Sequence, residues 1–253
     1  MPDMRQLVLF SLILMRMSGF ILMNPIFGRR NIPAQVKGGM VMVLTLLIYS
    51  YSSANVPEPV TSVEFAGLLL KEFAMGCVVG FVMELFFLSI TFAGSVADFE
   101  MGLSMAAIYD PQSNAQVALT GSLYNVYLMM LFFAVDGHLA LLKILITSAD
   151  VVPYGQAAIG AEASWAVLEI FIQCIVMAMK FAFPIIAIEF LTEIAVGILM
   201  KMIPSINVFV VNIQAKVLIG LLMLVFLFSP MSDYLGKVIN QMLLAVQDMM
   251  KLL

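Results

Sequence analysis

The sequence predicts an all-α integral membrane protein whose helical hairpins assemble with partner subunits. Three observations carry this prediction. Of the 253 residues, 63% are hydrophobic and only 11% are charged, whereas soluble domains carry roughly 25% charged residues. Several apolar stretches reach the length of about 20 residues that a membrane-spanning helix needs. Isolated ionisable residues lie inside those stretches, and lipid alone does not accommodate them.

Eight helices are predicted along a chain that we treat as a single polytopic domain, 1–253. They are expected at residues 4–27, 38–56, 63–97 (as one helix or two), 117–135, 139–147, 164–200, 208–228 and 234–253. Pro184 should kink the sixth helix, and Ser229-Pro230 should end the seventh. The last helix, 234–253, alternates apolar and polar residues at helical spacing, which predicts an amphipathic helix.

Charge is distributed unevenly along the chain. Residues 1–37 contain five basic residues and one acidic residue, Asp3. Basic loops favour the cytoplasmic side of a membrane, so residues 29–37 are predicted to lie there. The formal net charge of −4 argues against a basic surface for nucleic acid.

Ionisable side chains inside the apolar helices form the first group of candidate site residues. Each costs roughly 2.5–3.5 kcal/mol at the centre of a bilayer. We expect them at lumen or subunit contacts, and this chain is too short to enclose them all, so partner proteins are required. The predicted buried charges are Arg16, Glu84, Glu189, Glu193 and Lys216.

The stretch 100–116 is the second candidate site. Its apolar part, 101–108, is too short to cross a bilayer as a helix, and Pro111 disfavours helical geometry at Asp110. Long hydrophobic helices flank it on both sides. Such a segment is tolerated at membrane depth when it is buried in protein or lines a water-filled path, so we interpret it as a re-entrant loop.

Catalytic and metal chemistry have little support in the sequence. Glu189 and Glu193 share one helical face, as a pair of catalytic carboxylates or an ion-pair network would, and the network is favoured. His138 is the only histidine, and it follows a helix break, which favours a cap or turn. Cys77 and Cys174 lie in apolar runs without metal-type spacing. We therefore predict no enzyme, no metal and no cofactor.

Three blocks of the sequence carry a resemblance to a known family. They are NPIFGRRNIPAQVKGG (24–39), GLSMAAIYDPQSNAQ followed by LYNVYLMMLFFAVDGH (within 102–138), and VGILMKMIPSINVFVVNIQAKVLIGL (196–221). The chain resembles the FliR family of flagellar type III export-gate proteins, which is related to the injectisome SctT proteins. It departs from the family pattern at Ile213-Gln214-Ala215-Lys216, where members usually have Phe-Pro-Leu-Lys.

The resemblance implies a single-copy subunit of a gate built with FliP and FliQ, contacting FlhB and passing unfolded flagellar proteins. It implies the bacterial inner membrane and the flagellar basal body, with part of the assembly rising towards the periplasm. The family's central loop plugs the closed channel, and residues 102–117 match it.

The residues of this loop suit a plug on physical grounds, because a collar of apolar side chains closes a pore by expelling water. Gly102 and Pro111 are the expected bend points. The predicted plug residues are Met101, Gly102, Leu103, Met105, Ile108, Tyr109, Asp110 and Pro111.

Three alternatives remain beside the flagellar assignment. One is the injectisome subunit. Another is a secondary transporter that uses Glu189, Glu193 or Glu84 as its coupling carboxylate, although the inverted repeats expected of many transporters are not visible. The third is an intramembrane enzyme, for which no nucleophile and base pair is visible.

Overall fold

The structure is a computed structural model, and it describes residues 4–52, 61–105, 118–158, 160–203 and 207–253, with only the backbone at 105, 208 and 209. These residues form nine α-helices and one 3₁₀ turn. The helices are α1 (Met4–Met23), α2 (Ala34–Tyr51), α3 (Ser62–Glu100), α4 (Leu119–Ala134), α5 (Gly137–Ile146), α6 (Ser148–Val151), α7 (Ala161–Met202), α8 (Val208–Phe226) and α9 (Phe228–Leu252); the 3₁₀ turn is Leu103–Met105. The predicted all-helical fold class is confirmed.

Four of the helices are long and apolar enough to cross a membrane: α1, α2, α3 and α7. Two further pairs are bent at short breaks, α4 with α5 by 69° and α8 with α9 by 63°. If each bent pair counts as one span, the described residues contain up to six spans.

Several predicted helix boundaries move in the structure. The first helix ends at Met23 rather than at residue 27, because the Asn24 Oδ1 accepts hydrogen bonds from the backbone N–H groups of Ile26 and Phe27, at 2.9 and 3.0 Å, and so builds a turn. The second helix begins earlier than predicted, at Ala34, and the third is one helix rather than two. The predicted residues 53–56 lie outside the described part.

The prediction that Ser229-Pro230 ends a helix was wrong. The break comes earlier, at Leu227, and Pro230 lies in the first turn of α9. Proline is tolerated there because the first N–H groups of a helix have no intrahelical acceptor. Pro184 lies inside α7, which continues through it.

The chain divides into two compact units. The first comprises residues Met1–Phe86, Phe132–Ile172 and Ile239–Leu253, and the second Phe87–Leu131 and Gln173–Val238. The prediction of one polytopic domain stays a prediction.

Unit 1 is built on close contact between α1 and α3. Gly76 and Gly80 face the α1 backbone so closely that an added Cβ would overlap the carbonyls of Arg16 and Phe20 respectively. Small residues let helix backbones approach in this way. The next helix, α2, buries only Thr45 and Ile48 fully, and most of its other residues are exposed.

Unit 2 has an aromatic core. The ring of Phe181 on α7 packs against Tyr124 of α4, with ring centroids 4.9 Å apart, and against Tyr234 of α9 at 5.4 Å. The Tyr234 hydroxyl donates a hydrogen bond of 2.9 Å to the carbonyl of Met177. These contacts tie α4 and α9 to the middle of the long helix α7.

Candidate gating segment and buried charges

The helices on either side of the central segment are joined at its base by a buried carboxylate. Asp98, in the last turns of α3, is 4% exposed. Its Oδ2 accepts a hydrogen bond of 3.0 Å from the backbone N–H of Thr120, and its Oδ1 accepts one from the Thr120 hydroxyl. Thr120 is the second residue of α4, so Asp98 pairs a free N–H and places negative charge at the positive end of the helix dipole.

Two more contacts hold α3 against α4 below this carboxylate. A Cβ added to Gly94 would overlap the backbone of Gly121, which means that the two helices touch at their main chains. One turn further from the segment, the Asn125 Nδ2 donates a 2.9 Å hydrogen bond to the Thr91 hydroxyl. The base of the segment is therefore fixed over about two helical turns.

The central segment leaves α3 through a left-handed glycine. Gly102 has φ +76°, and its N–H donates to the carbonyl of Phe99 at 3.1 Å. Glycine is the residue that most readily adopts this geometry at a helix end. The position predicted as a bend point is thus the point where the chain turns away from the helix axis and enters the 3₁₀ turn.

Met101 is fully buried, at 0% exposure. Its side chain lies against Gly220 of α8, at a point that a Glu189 carboxylate oxygen also approaches. Met101 therefore anchors the start of the segment inside unit 2, whereas Gly102 and Leu103 are only partly buried. The predicted plug residues Ile108, Tyr109, Asp110 and Pro111, and the side chain of Met105, lie outside the described residues.

The two glutamates predicted as a pair on α7 differ in their environment. Glu189 is 0% exposed, and neither of its carboxylate oxygens has a hydrogen-bond partner among the residues that the structure describes. Glu193, one turn later, has a side chain that is 59% exposed and lies 3.5 Å from the Lys216 Nζ. The ion pair fits the structural interpretation, while Glu189 is an intramembrane ionisable group that marks a functional position by default.

A second buried cluster, in unit 1, surrounds Arg16, which is 3% exposed. The Arg16 Nε donates a hydrogen bond of 2.6 Å to the Glu72 Oε2. Its two terminal nitrogens donate to the Ser148 hydroxyl and to the carbonyl of Val152, each at 3.1 Å. One guanidinium thus connects α1 to α3, to α6 and to the loop after α6.

Glu72 and Tyr154 complete this cluster. Glu72 is 0% exposed, and its second oxygen accepts a 2.8 Å hydrogen bond from the backbone N–H of Gly155. The Arg16 guanidinium lies 4.3 Å from the centroid of the Tyr154 ring, as a cation–π contact. Sequence reasoning selected Arg16 but missed Glu72, whose only signal was a charge inside an apolar helix.

The other predicted residues lie apart from these two clusters. Glu84, in α3, is partly buried. His138 is the second residue of α5, after Asp136 at φ 58°, and its ring lies 5.3 Å from that of Phe133. Cys77 and Cys174 are free thiols, and no group of three potential metal ligands occurs within the described ranges.

Comparison with known proteins identifies the family. The model of the family described as bacterial export proteins, family 1, matches residues 7–242. The chain belongs to this family. It is therefore an integral membrane subunit of a type III export apparatus, and subunits of this family are not enzymes.

Individual relatives come from two kinds of export system. The chain is 29% identical to the flagellar biosynthetic protein FliR of Bacillus subtilis, with 87% of the chain and 86% of the relative covered. It is 27% identical to FliR of Escherichia coli, with 91% and 89% covered. It is also 28% identical to the Yop proteins translocation protein T of Yersinia pestis, with 98% and 95% covered.

Family membership confirms the resemblance drawn from the three sequence blocks. One of those blocks departs from the family pattern at Ile213-Gln214-Ala215-Lys216, and these residues lie inside α8, which is continuous there. The secondary-transporter and enzyme alternatives lose their basis, because their candidate carboxylates belong to an export subunit.

Proposed function

We propose that the protein is a channel subunit of the flagellar export gate in the bacterial inner membrane, at the flagellar basal body. In this proposal residues 102–117 obstruct the conduit until an unfolded flagellar protein arrives. The flagellar assignment rests on the sequence blocks, above all on the arrangement GLS, DP, Q and GH within residues 102–138. Part of the assembly is expected to project towards the periplasm.

The main support for the plug proposal is that the two flanking helices are held together, whereas the segment between them begins at a bend. Asp98 with Thr120 and Gly94 with Gly121 hold the flanking helices together, and Gly102 turns the chain out of α3. Displacement of the segment then requires no change in the contact between the two helices. Apolar residues in the segment supply the side chains that expel water from the closed pore.

Conductance of the reconstituted gate tests the plug directly. Leu103→Asn and Ile108→Asn replace apolar side chains by polar ones of similar size, so we expect a raised ion leak through the closed gate. Ser104→Ala and Gln112→Ala, at polar positions of the same segment, are the matched controls. Equal conductance in all four variants and in the natural chain would count against the plug.

Assembly with FliP and FliQ, and contact with FlhB, are part of the proposal. Lys180 lies in the interior of the 42-residue helix α7 and is exposed on the surface of this chain. An unpaired lysine facing lipid costs roughly 2.5–3.5 kcal/mol, so we expect it to meet an acidic or carbonyl group of a neighbouring subunit. Lys180→Glu should reduce co-purification with FliP and FliQ, whereas Lys251→Glu, on the exposed end of α9, should not.

The similarity to the relative from Yersinia pestis supports the injectisome alternative. A complementation experiment distinguishes the flagellar from the injectisome assignment. The gene is expressed in one strain that lacks its flagellar gate subunit and in another that lacks its injectisome counterpart. Restored swimming without restored effector secretion is the result expected for a flagellar subunit. The opposite outcome would assign the protein to an injectisome.

A further inference from the structure

A notch at Gly220 of α8 brings the residue before the gating segment, Met101, next to a carboxylate of α7. A Cβ added to Gly220 would overlap the Cγ and Sδ atoms of Met101 and would lie 2.9 Å from the Oε1 of Glu189. Met101 and Glu189 are both 0% exposed. Any side chain at position 220 would therefore displace Met101 from its place, which we call the Gly220 notch.

Glu189 lies in this notch without a polar partner. Neither of its carboxylate oxygens forms a hydrogen bond with the described residues, although buried polar atoms are normally paired. Because the side chain is enclosed within this chain, a basic side chain of another subunit does not reach it. An isolated charge in an apolar interior is so costly that a carboxylate there becomes neutral by binding a proton.

The charged groups around Glu189 do not change this conclusion. Lys216, one turn before Gly220 on α8, and Glu100, at the end of α3, both act on it electrostatically. They are opposite in sign, so their effects partly offset each other. The Lys216 Nζ also lies 3.5 Å from the Oε2 of Glu193, on α7 itself, so its charge already has a partner.

We propose that Glu189 is a proton-binding site, and that its neutral form holds Met101 in the Gly220 notch while the gate is closed. The second part rests on the plug proposed above. Met101 directly precedes the bend at Gly102, so its position sets the direction in which the gating segment leaves α3.

The proposed chemical change is the transfer of one proton between the carboxyl group and water. When the proton leaves, the carboxylate attracts water into the notch. Water next to the thioether of Met101 weakens the apolar contact that keeps this side chain buried. Charging of Glu189 should therefore release the start of the gating segment.

Infrared spectroscopy of the full chain in lipid nanodiscs tests the proton directly, because protonated and ionised carboxyl groups absorb at different frequencies. At neutral pH we expect the band of a protonated carboxyl group in the natural chain and its loss in Glu189→Gln. Glu162→Gln, at an exposed position of the same helix, is the matched control and should keep the band. This measurement needs neither partner subunits nor ion flow.

Ion leak through the reconstituted closed gate tests the position of Met101. Gly220→Ala should raise the leak, whereas Gly197→Ala, at a helical position of α7 with no atom within 4 Å of the added Cβ, should not. Met101→Ala empties the notch from the other side and should also raise the leak, while Met101→Leu should keep it low. These two variants decide the question if Gly220→Ala does not assemble.

A pH series joins the two parts of the proposal. Raising the pH until the carboxyl band disappears should raise the leak of the natural gate. Glu189→Gln is neutral at every pH, so its leak should stay low over the same series.

Different results would overturn the two parts. A carboxyl band that is absent from the natural chain, or unchanged in Glu189→Gln, would show that Glu189 binds no proton. If Leu103→Asn raises the leak but Gly220→Ala and Met101→Ala do not, the notch has no role in closure and the plug stands. If Leu103→Asn has no effect either, the plug has failed, and the infrared result alone decides whether Glu189 binds a proton.

Discussion

Replacing Glu72 by glutamine should strongly destabilise unit 1. The amide keeps the size of the carboxylate but leaves the buried Arg16 charge without its ion partner at 2.6 Å. It also presents an NH₂ group towards one of two donors, the Arg16 Nε and the backbone N–H of Gly155. Removing one partner of a buried ion pair costs about 3–5 kcal/mol.

Thermal unfolding of the full chain in detergent measures this loss. At about 2–4 °C per kcal/mol for chains of 150–250 residues, Glu72→Gln should lower the Tm by roughly 6–20 °C. Asp248→Asn is the control, because it breaks an exposed ion pair with Lys251 of 2.7 Å, and exposed pairs contribute only about 0–1 kcal/mol.

A double variant distinguishes the effect of an unpaired buried charge on stability from the effect of altered packing. Arg16→Met with Glu72→Met removes both charges, and apolar replacement of a whole buried pair is often neutral or stabilising. We expect the double variant to be more stable than Glu72→Gln. The reasoning would be refuted if Glu72→Gln changed the Tm no more than Asp248→Asn, or if the double variant were less stable than Glu72→Gln.

The remaining predictions concern the helix contact, the bend and the loop after α6. Gly94→Ala should lower the free energy of unfolding by about 1–3 kcal/mol, because the added Cβ overlaps Gly121. Gly67→Ala, at a helical position with open space, should leave the Tm unchanged or raise it in the same thermal assay. Gly102→Ala, at φ +76°, should lower the free energy of unfolding by about 1–2 kcal/mol. An unchanged Tm would show that the backbone at the bend relaxes to another conformation. Burial raises the pKa of the Tyr154 phenol, so the folded state holds this proton more tightly than the unfolded state, and stability should fall as the pH rises above the ordinary value of about 10. In Tyr154→Phe the fall between about pH 10 and 11 should be smaller, as chemical denaturation at each pH would show.

The sequence predicts the helices well because a chain with 63% hydrophobic residues is punctuated by clear turn residues. Asn24-Pro25 and Asp136-Gly137 both mark real breaks. The error at Ser229-Pro230 arose because proline is compatible with the first turn of a helix as well as with the residues after one. Local sequence alone does not distinguish these two positions.

The candidate sites were less predictable, because they depend on contacts between residues distant in sequence. Arg16 and Glu72 are 56 residues apart, and helical periodicity gives no information about which α3 residue faces α1. The spacing of Glu189 and Glu193 predicted a shared face, and both lie against α8, Glu189 beside Gly220 and Glu193 in an ion pair with Lys216. The spacing alone does not show that Glu189 is buried whereas the Glu193 side chain is 59% exposed.

The main-chain contact between Gly94 and Gly121 has a mechanical consequence. Helices that touch without intervening side chains have little compressible material between them. The two helices should therefore move together, as one rigid body, when a force acts on the segment that joins them. In the proposed gate, a polypeptide that pushes against residues 102–117 would then displace that segment and leave the helix pair unbent. The free energy needed to admit a substrate would, in this proposal, depend on the segment and not on the two helices.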